Sequence, residues 1–301
     1  MSDRASSSPL PITFGLTSHL LAGTLPFLSA GAIARLGLLP ATTLLYLAGS
    51  VLIATALVVP RVRQWLVEET RALAGPRLRG PWALALTGFL VGGVAYYIGL
   101  SVTPRVAEYI FLTRLDWIAQ ALVAVVWLRE PWNARGLAGA GLALGGGLLL
   151  AWSGAFGISG LIAALVYIGA SLVGYSCVKP IVSVRGPRAA LVLTMWRHWS
   201  NTAGFVLLAV AIPGAAAVRP EATGLVLALI AGAVIVVLFL LRFTALTGIP
   251  LWVLSAQAPT QALIAIVVTL ATGGTLVPMT LVAIVLIVAG EVIVTRAAPR
   301  R

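Results

Sequence analysis

Charge, cysteine and histidine are all scarce in this chain. Only 9% of its 301 residues are charged, against roughly a quarter in a soluble domain, which excludes an ordinary soluble fold. A single cysteine, Cys177, excludes a disulfide framework and a thiolate metal cluster. Two histidines, eight acidic residues and no HExxH pattern supply neither a metal set nor a nucleophile–base pair. No metal, no cofactor and no enzymatic chemistry are therefore expected.

Apolar residues fill the space that charge leaves. The chain is 60% hydrophobic, with a mean hydropathy of +1.06. Its apolar segments are helix-length, unlike the short alternating strands of a barrel, so the fold class is an all-α integral membrane protein. The net charge of +12 would suit nucleic acid. Most arginines, however, fall in loops between apolar segments, where they orient a chain in a bilayer. The expected partners are lipid bilayer and a small-molecule substrate, with no nucleic acid. Composition leaves the oligomeric state open. Met1–Pro9 is polar, and the following run lacks a small-residue cleavage site, so it reads as an uncleaved first span.

Proline, glycine and arginine divide the sequence into about ten spans. They cover 10–30, 41–60, 81–101, 105–128, 134–153, 158–179, 190–212, 222–243, 250–271 and 277–295. Pro26 and Pro259 fall inside spans and are expected to bend or break them. With the N-terminus inside, fifteen basic residues lie on the inner side and three, Arg35, Arg105 and Arg219, on the outer. That excess predicts a multi-pass protein of the inner (plasma) membrane with both termini cytoplasmic. In this count Arg242 belongs to an inner loop, while Arg114 and Arg197 lie within spans.

The fourth span holds the densest ionisable chemistry, in Glu108–Trp117 (EYIFLTRLDW). Charged groups at membrane depth are costly and commonly face a cavity or a partner. At about 100° per residue, Glu108 and Asp116 lie within roughly 80° of each other on a helix, and Arg114 points away from both. Structural ion pairing between helices is the competing reading. A second pattern is an internal repeat. Gln120-Ala121-Leu122-Val123-Ala124-Val125-Val126 matches Gln261-Ala262-Leu263-Ile264-Ala265-Ile266-Val267 at an offset of 141 residues. The chain therefore divides into a first five-helix repeat, 1–153, and a second, 154–301. An odd number of spans inverts the second copy, an arrangement that transporters use. At this offset Glu108 falls on Ile249, Arg114 on Ser255 and Asp116 on Gln257, so the charge sits in one half.

These features resemble the drug/metabolite transporter superfamily in its ten-helix, two-repeat form. The resemblance is carried by the Ser101–Arg105 link, the fourth span, Leu128-Arg129-Glu130-Pro131 before a Gly-rich fifth span, and Pro259-Thr260-Gln261-Ala262-Leu263 in the ninth. The first copy departs from the family with Asp116-Trp117 where a proline is common, and Tyr46 stands where many members have arginine. Tyr46, the Pro60–Gln64 turn and Tyr96 resemble the branch exporting aromatic amino acids. The resemblance implies a secondary carrier.

The remaining candidates follow from residue chemistry. Tyr96, Tyr97, Trp117, Tyr167 and Tyr175 lie deep within spans and suit the wall of a cavity for an amphipathic substrate. His19, mid-span, is one of the few groups able to carry a proton near neutrality. Arg197 reads as snorkelling to the inner interface. Gly141 and Gly145 within GLALGGG, Gly88/Gly92 and Ala170/Gly174 read as close helix contacts. The substrate-binding set is thus His19, Tyr46, Tyr96, Tyr97, Glu108, Arg114, Asp116, Trp117, Tyr167 and Tyr175. The functional reading is export of small amphipathic metabolites, amino acids among them, by alternating access. A lipid-carrier flippase, or a scaffold or embedded enzyme with structural buried charges, is the alternative.

Overall fold

The computed structural model describes residues 10–103, 106–113, 115–151, 158–212, 221–258, 260–271 and 278–297. Among them there is helix and short connection, and no strand. The helices are α1 (Leu10–Leu36), α2 (Leu38–Ala56), α3 (Pro60–Leu73), α4 (Arg79–Val102), α5 (Val106–Thr113), α6 (Leu115–Val126), α7 (Ala134–Ala151), α8 (Ile158–Arg185), α9 (Pro187–Ala211), α10 (Ala222–Ala245), α11 (Leu251–Ala256), α12 (Thr260–Ala271) and α13 (Pro278–Ala297). The all-α class is as expected. Of these, α1, α2, α4, α8 and α10 are long and apolar enough to cross a membrane. The bundle keeps apolar side chains on its outside, including Val58, Val210, Leu207 and Val285. That is the surface lipid favours and water does not.

Several boundaries differ from the sequence reading. Pro26 and Pro180 lie inside α1 and α8 without ending them, and these helices run on to Leu36 and Arg185. The Pro60–Gln64 segment, read as a turn, opens the amphipathic helix α3, with Pro60 in its first turn, where a missing N–H costs nothing. Only Glu69 and Leu73 of α3 are buried. Trp196 Nε1 donates to Thr70 Oγ1 at 2.8 Å, and Arg185 Nε lies 2.6 Å from Glu69 Oε2, so α3 is tied to the α8–α9 corner. The fourth span is described as α5 and α6, and the ninth as α11 and α12; Arg114 and Pro259 lie outside the described residues.

The strongest packing pairs are α1 with α10, α4 with α8, and α7 with α13, while α2 lies against α9 and α10. In addition α1 meets α12, and α8 meets α5 and α6. Small residues allow these approaches. A Cβ added at Gly88 would fall 2.7 Å from the Ala170 carbonyl oxygen on α8, so the Gly88/Gly92 and Ala170/Gly174 reading holds. Gly141 and Gly145 do not make the expected contact: among the described residues nothing lies within 4 Å of a Cβ there, and α7 instead meets α13 through Gly139 and Gly146. Two turns need glycine for its backbone. Gly37 (φ 86) precedes α2 and Gly186 (φ 76) precedes α9, both in the left-handed region. Arg129 enters the same region at φ 51 just after α6.

Candidate functional site

A cavity lies between α1, α2, α4, α8, α9 and α10. About 70 Å³ of it is deep enough to hold water, within about 600 Å³ of empty space when the part open to solvent is counted. Tyr96, Tyr97, Tyr167 and Tyr175, read as cavity-wall candidates, line it together with Tyr46, while Trp117 from the same set does not. Four of the tyrosine rings form one connected aromatic wall, while Tyr175 meets Phe89 edge-on at 5.4 Å. Tyr46 stacks on Phe205 at 5.2 Å and meets Tyr97 edge-on at 6.1 Å. Tyr96 touches Tyr97 at 5.3 Å and Tyr167 at 5.3 Å. Edge-on and offset contacts of this kind fix ring orientation.

Asp116, Trp117 and His19 sit one layer behind that wall. Asp116 is fully buried, and its Oδ2 accepts from Gln120 Nε2 and from Ser171 Oγ, both at 3.2 Å. Ser171 is itself a lining residue, so it connects the carboxylate to the cavity. His19 Nε2 lies 2.9 Å from the Leu254 carbonyl, which can only accept. Its Nδ1 faces Gln261 Nε2 at 2.6 Å and Arg242 Nη2 at 3.4 Å, which are donors. This pattern fits the neutral Nε2–H tautomer. The imidazole meets Trp117 edge-on at 4.7 Å. Glu108 is part of α5, but its side chain, like the whole of Arg114, lies outside the described residues.

The sequence reading missed two arginines. Arg242 is not in a loop: it lies within α10 and is 4% exposed. Its Nη1 donates to Tyr175 Oη at 2.9 Å, and its Cζ stands 4.9 Å from the Trp117 ring centre. Arg197 does not snorkel. It is also 4% exposed, lines the cavity, and places its Cζ 3.3 Å from the Phe239 ring centre. A desolvated cation over an aromatic face gains on the order of 2 kcal/mol, which offsets only part of the burial cost. A signal for both was available. Phe239, Arg242 and Phe243 share one face at helical spacing, as do Arg197 and Asn201, so a helix carried to Ala245 brings Arg242 inside.

A second polar cluster lies where α6 ends. The 127–133 connection turns through Arg129, with Glu130 N donating back to the Ala124 carbonyl at 3.0 Å. Glu130 Oε2 then accepts from the first amides of α11, Leu251 N at 2.6 Å and Trp252 N at 3.4 Å. Lys179 Nζ donates to the Leu246 and Ile249 carbonyls at 2.8 and 2.7 Å and lies 3.6 Å from Glu130 Oε1. Burial pushes the Glu130 carboxyl above its ordinary range, with Lys179 and the two amides acting in the opposite sense.

Among the described residues no group of three or more His, Cys, Asp or Glu could hold a metal ion. No family model matches this chain, and no curated protein matches it. A solved structure described only as "Crystal structure of protein" is similar to it, with a TM-score of 0.72 at 18% identity, covering 97% of this chain and 99% of that one. At that identity the likeness establishes a shared fold and carries no function.

Proposed function

We propose that this protein is a secondary carrier of the drug/metabolite transporter type, not an enzyme, and that it exports small amphipathic metabolites by alternating access. The observation that carries this reading is the cavity itself: a tyrosine-walled space inside a lipid-faced bundle, with buried charge around it. Intramembrane ionisable groups that surround a cavity mark a substrate or ion pathway.

The ten-span, inverted-repeat architecture is part of the proposal. Counting α5–α6 and α11–α12 as one crossing each, and setting α3 aside, leaves ten. Exchanging α1 for α8, α2 for α9, α4 for α10, α5–α6 for α11–α12 and α7 for α13 turns the α1–α10 contact into the α8–α4 contact. The same exchange turns α1–α12 into α8–α6, and α2–α9 and α7–α13 into themselves. Gly37 and Gly186 take the same left-handed backbone at equivalent corners. Gln120 reaches Ser171 on α8, and Gln261 reaches His19 on α1. Each of these supports a two-fold relation with the site between the halves.

One observation favours the flippase reading. A groove of about 770 Å³ between α4, α8 and α9 is lined almost entirely by apolar side chains. Counterflow in liposomes separates the two. Protein-dependent exchange of water-soluble aromatic acids or amino acids is expected. Absence of any such exchange, together with scrambling of a labelled lipid, would replace the carrier with the flippase.

A further inference from the structure

Resting on the carrier reading, the geometry points to the substrate class: the Arg197–Arg242 pair receives the carboxylate of a small organic monoanion that lacks an amine. Both guanidinium groups share one aromatic platform, with Cζ atoms 3.3 and 5.6 Å from the Phe239 ring centre. Both are 4% exposed and both line the cavity. Arg197 Nε and Nη1 and Arg242 Nε make no hydrogen bond among the described residues. The ion pairs found there, Arg35–Glu221, Lys179–Glu130 and Arg185–Glu69, involve neither of them. The acceptors that Arg242 does have, Tyr175 Oη and His19 Nδ1, are neutral.

Charge counting gives the ligand its sign. Asp116, bonded to the lining residue Ser171, is the one described carboxylate tied to this cavity, which two guanidinium cations line. Among the described residues one unit of positive charge is left over, at a depth where uncompensated charge is costly. A single anionic group on the ligand balances it. Unused N–H donors on planar guanidinium groups match a carboxylate in both geometry and charge. Among the described residues the cavity lining contains no aspartate or glutamate, so no carboxylate there pairs with a substrate ammonium. An amine would add a second unpaired cation beside Arg197. The tyrosine wall accommodates the apolar body. This departs from the expectation that a pathway carboxylate pairs with the amine of an amino acid.

The test uses the full-length protein in detergent and four probes with one common body: phenylpyruvate, phenylalanine, phenethylamine and phenyl phosphate. Titration calorimetry is expected to give phenylpyruvate the tightest binding, at least about tenfold over phenylalanine, with none for phenethylamine. Arg197→Gln and Arg242→Gln should each weaken phenylpyruvate by about tenfold or more. Arg197→Lys, which keeps the charge but loses the fork, should fall between. Equal or tighter binding of phenethylamine, tighter binding of phenyl phosphate, or no binding of any probe would each overturn the assignment. The wild-type ranking alone decides this if an arginine variant does not fold. Liposome flux separates the two levels. Arginine-dependent binding without flux would remove the carrier reading and leave the anion site. Flux of an amine-bearing substrate through both glutamine variants would leave the carrier and remove the site.

Discussion

Replacing Lys179 with methionine tests how the α10–α11 connection is held. The methionine stem fills the same space but removes the ammonium that serves the Leu246 and Ile249 carbonyls, at 2.8 and 2.7 Å. It also strips Glu130 of the cation 3.6 Å from its Oε1, while that carboxylate side chain stays only 9% exposed. Removing one member of a buried pair costs about 3–5 kcal/mol, because the survivor remains buried. For a chain of this size that lowers the melting temperature by on the order of 10 °C. Glu130→Gln is the milder change. Its amide oxygen still accepts from Leu251 N, Lys179 keeps both carbonyls, and the loss is the carboxylate's attraction to the α11 N-terminus, about 1 kcal/mol. In the double variant no stranded charge remains, so its cost should fall short of the two single costs by at least about 1 kcal/mol. The pH dependence has a definite sign. Burial raises the Glu130 carboxyl above 4.5, so the folded state holds its proton to higher pH than the unfolded chain. Its contribution is fully present below pH 4.5 and is lost as pH rises through the folded value, and Glu130→Gln should flatten that slope. Thermal unfolding of the four proteins across pH checks all of this. A Lys179→Met cost under about 1 kcal/mol, or additive single costs, would refute the reasoning.

Asp116→Asn should leave the protein folded, at a cost of about 1 kcal/mol as neutral bonds replace charge-assisted ones to Gln120 and Ser171. Liposome flux should fall or lose its pH dependence, and unchanged flux with unchanged pH dependence would remove Asp116 from the pathway. Arg129→Gly should raise stability by up to about 1 kcal/mol, since the φ of 51 suits glycine; a lower melting temperature would show that the arginine side chain holds the turn. In a background with Cys177 replaced, Arg35→Cys should react with an impermeant thiol reagent from outside, and Arg71→Cys only from inside. External labelling at position 71 would reverse the topology.

Helix content and most span boundaries were legible because a bilayer demands long apolar runs, and nothing local competes with that signal. Tyr96, Tyr97, Tyr167 and Tyr175 were legible as cavity candidates for a related reason: a polar tip deep in an apolar run needs a place to go. Arg242 was not, because a cation two residues before a turn-rich segment is indistinguishable by composition from a loop cation. Only the true end of α10, at Ala245, puts it inside. Arg197 was misread because a long side chain near a span end can reach water, and the Phe239 ring that holds it lies on another helix. Glu130 and Lys179 are 49 positions apart in the chain, and no pattern in the sequence joins them. The Gly141/Gly145 contact failed through register. Spacing identified a small-residue stripe on α7, but which face meets α13 is set by the partner, and Gly139 and Gly146 occupy it.

On the inverted-repeat reading, Asp116 and its counterpart at the 141-residue offset, Gln257, carry the asymmetry between the halves. Both are buried, and both stand four residues before the matched glutamines Gln120 and Gln261. Asp116 accepts from Gln120 and from Ser171 on α8, whereas the carboxamide of Gln257 makes no hydrogen bond among the described residues. Gln261 instead turns to His19 on α1, and through it to Arg242. In an inverted repeat, the inward- and outward-facing states exchange the roles of the two halves. Identical halves would give those states equal energies. On that reading, a carboxylate beside Gln120 and a histidine–arginine contact beside Gln261 make the two states unequal by the difference in how each environment holds its charge. A ligand shifts such an equilibrium only by its differential affinity for the two states. On the carrier reading, the charge of an anion between Arg197 and Arg242 is met by arginines of the second half alone, so its binding acts unequally on the two states, which substrate-driven exchange requires.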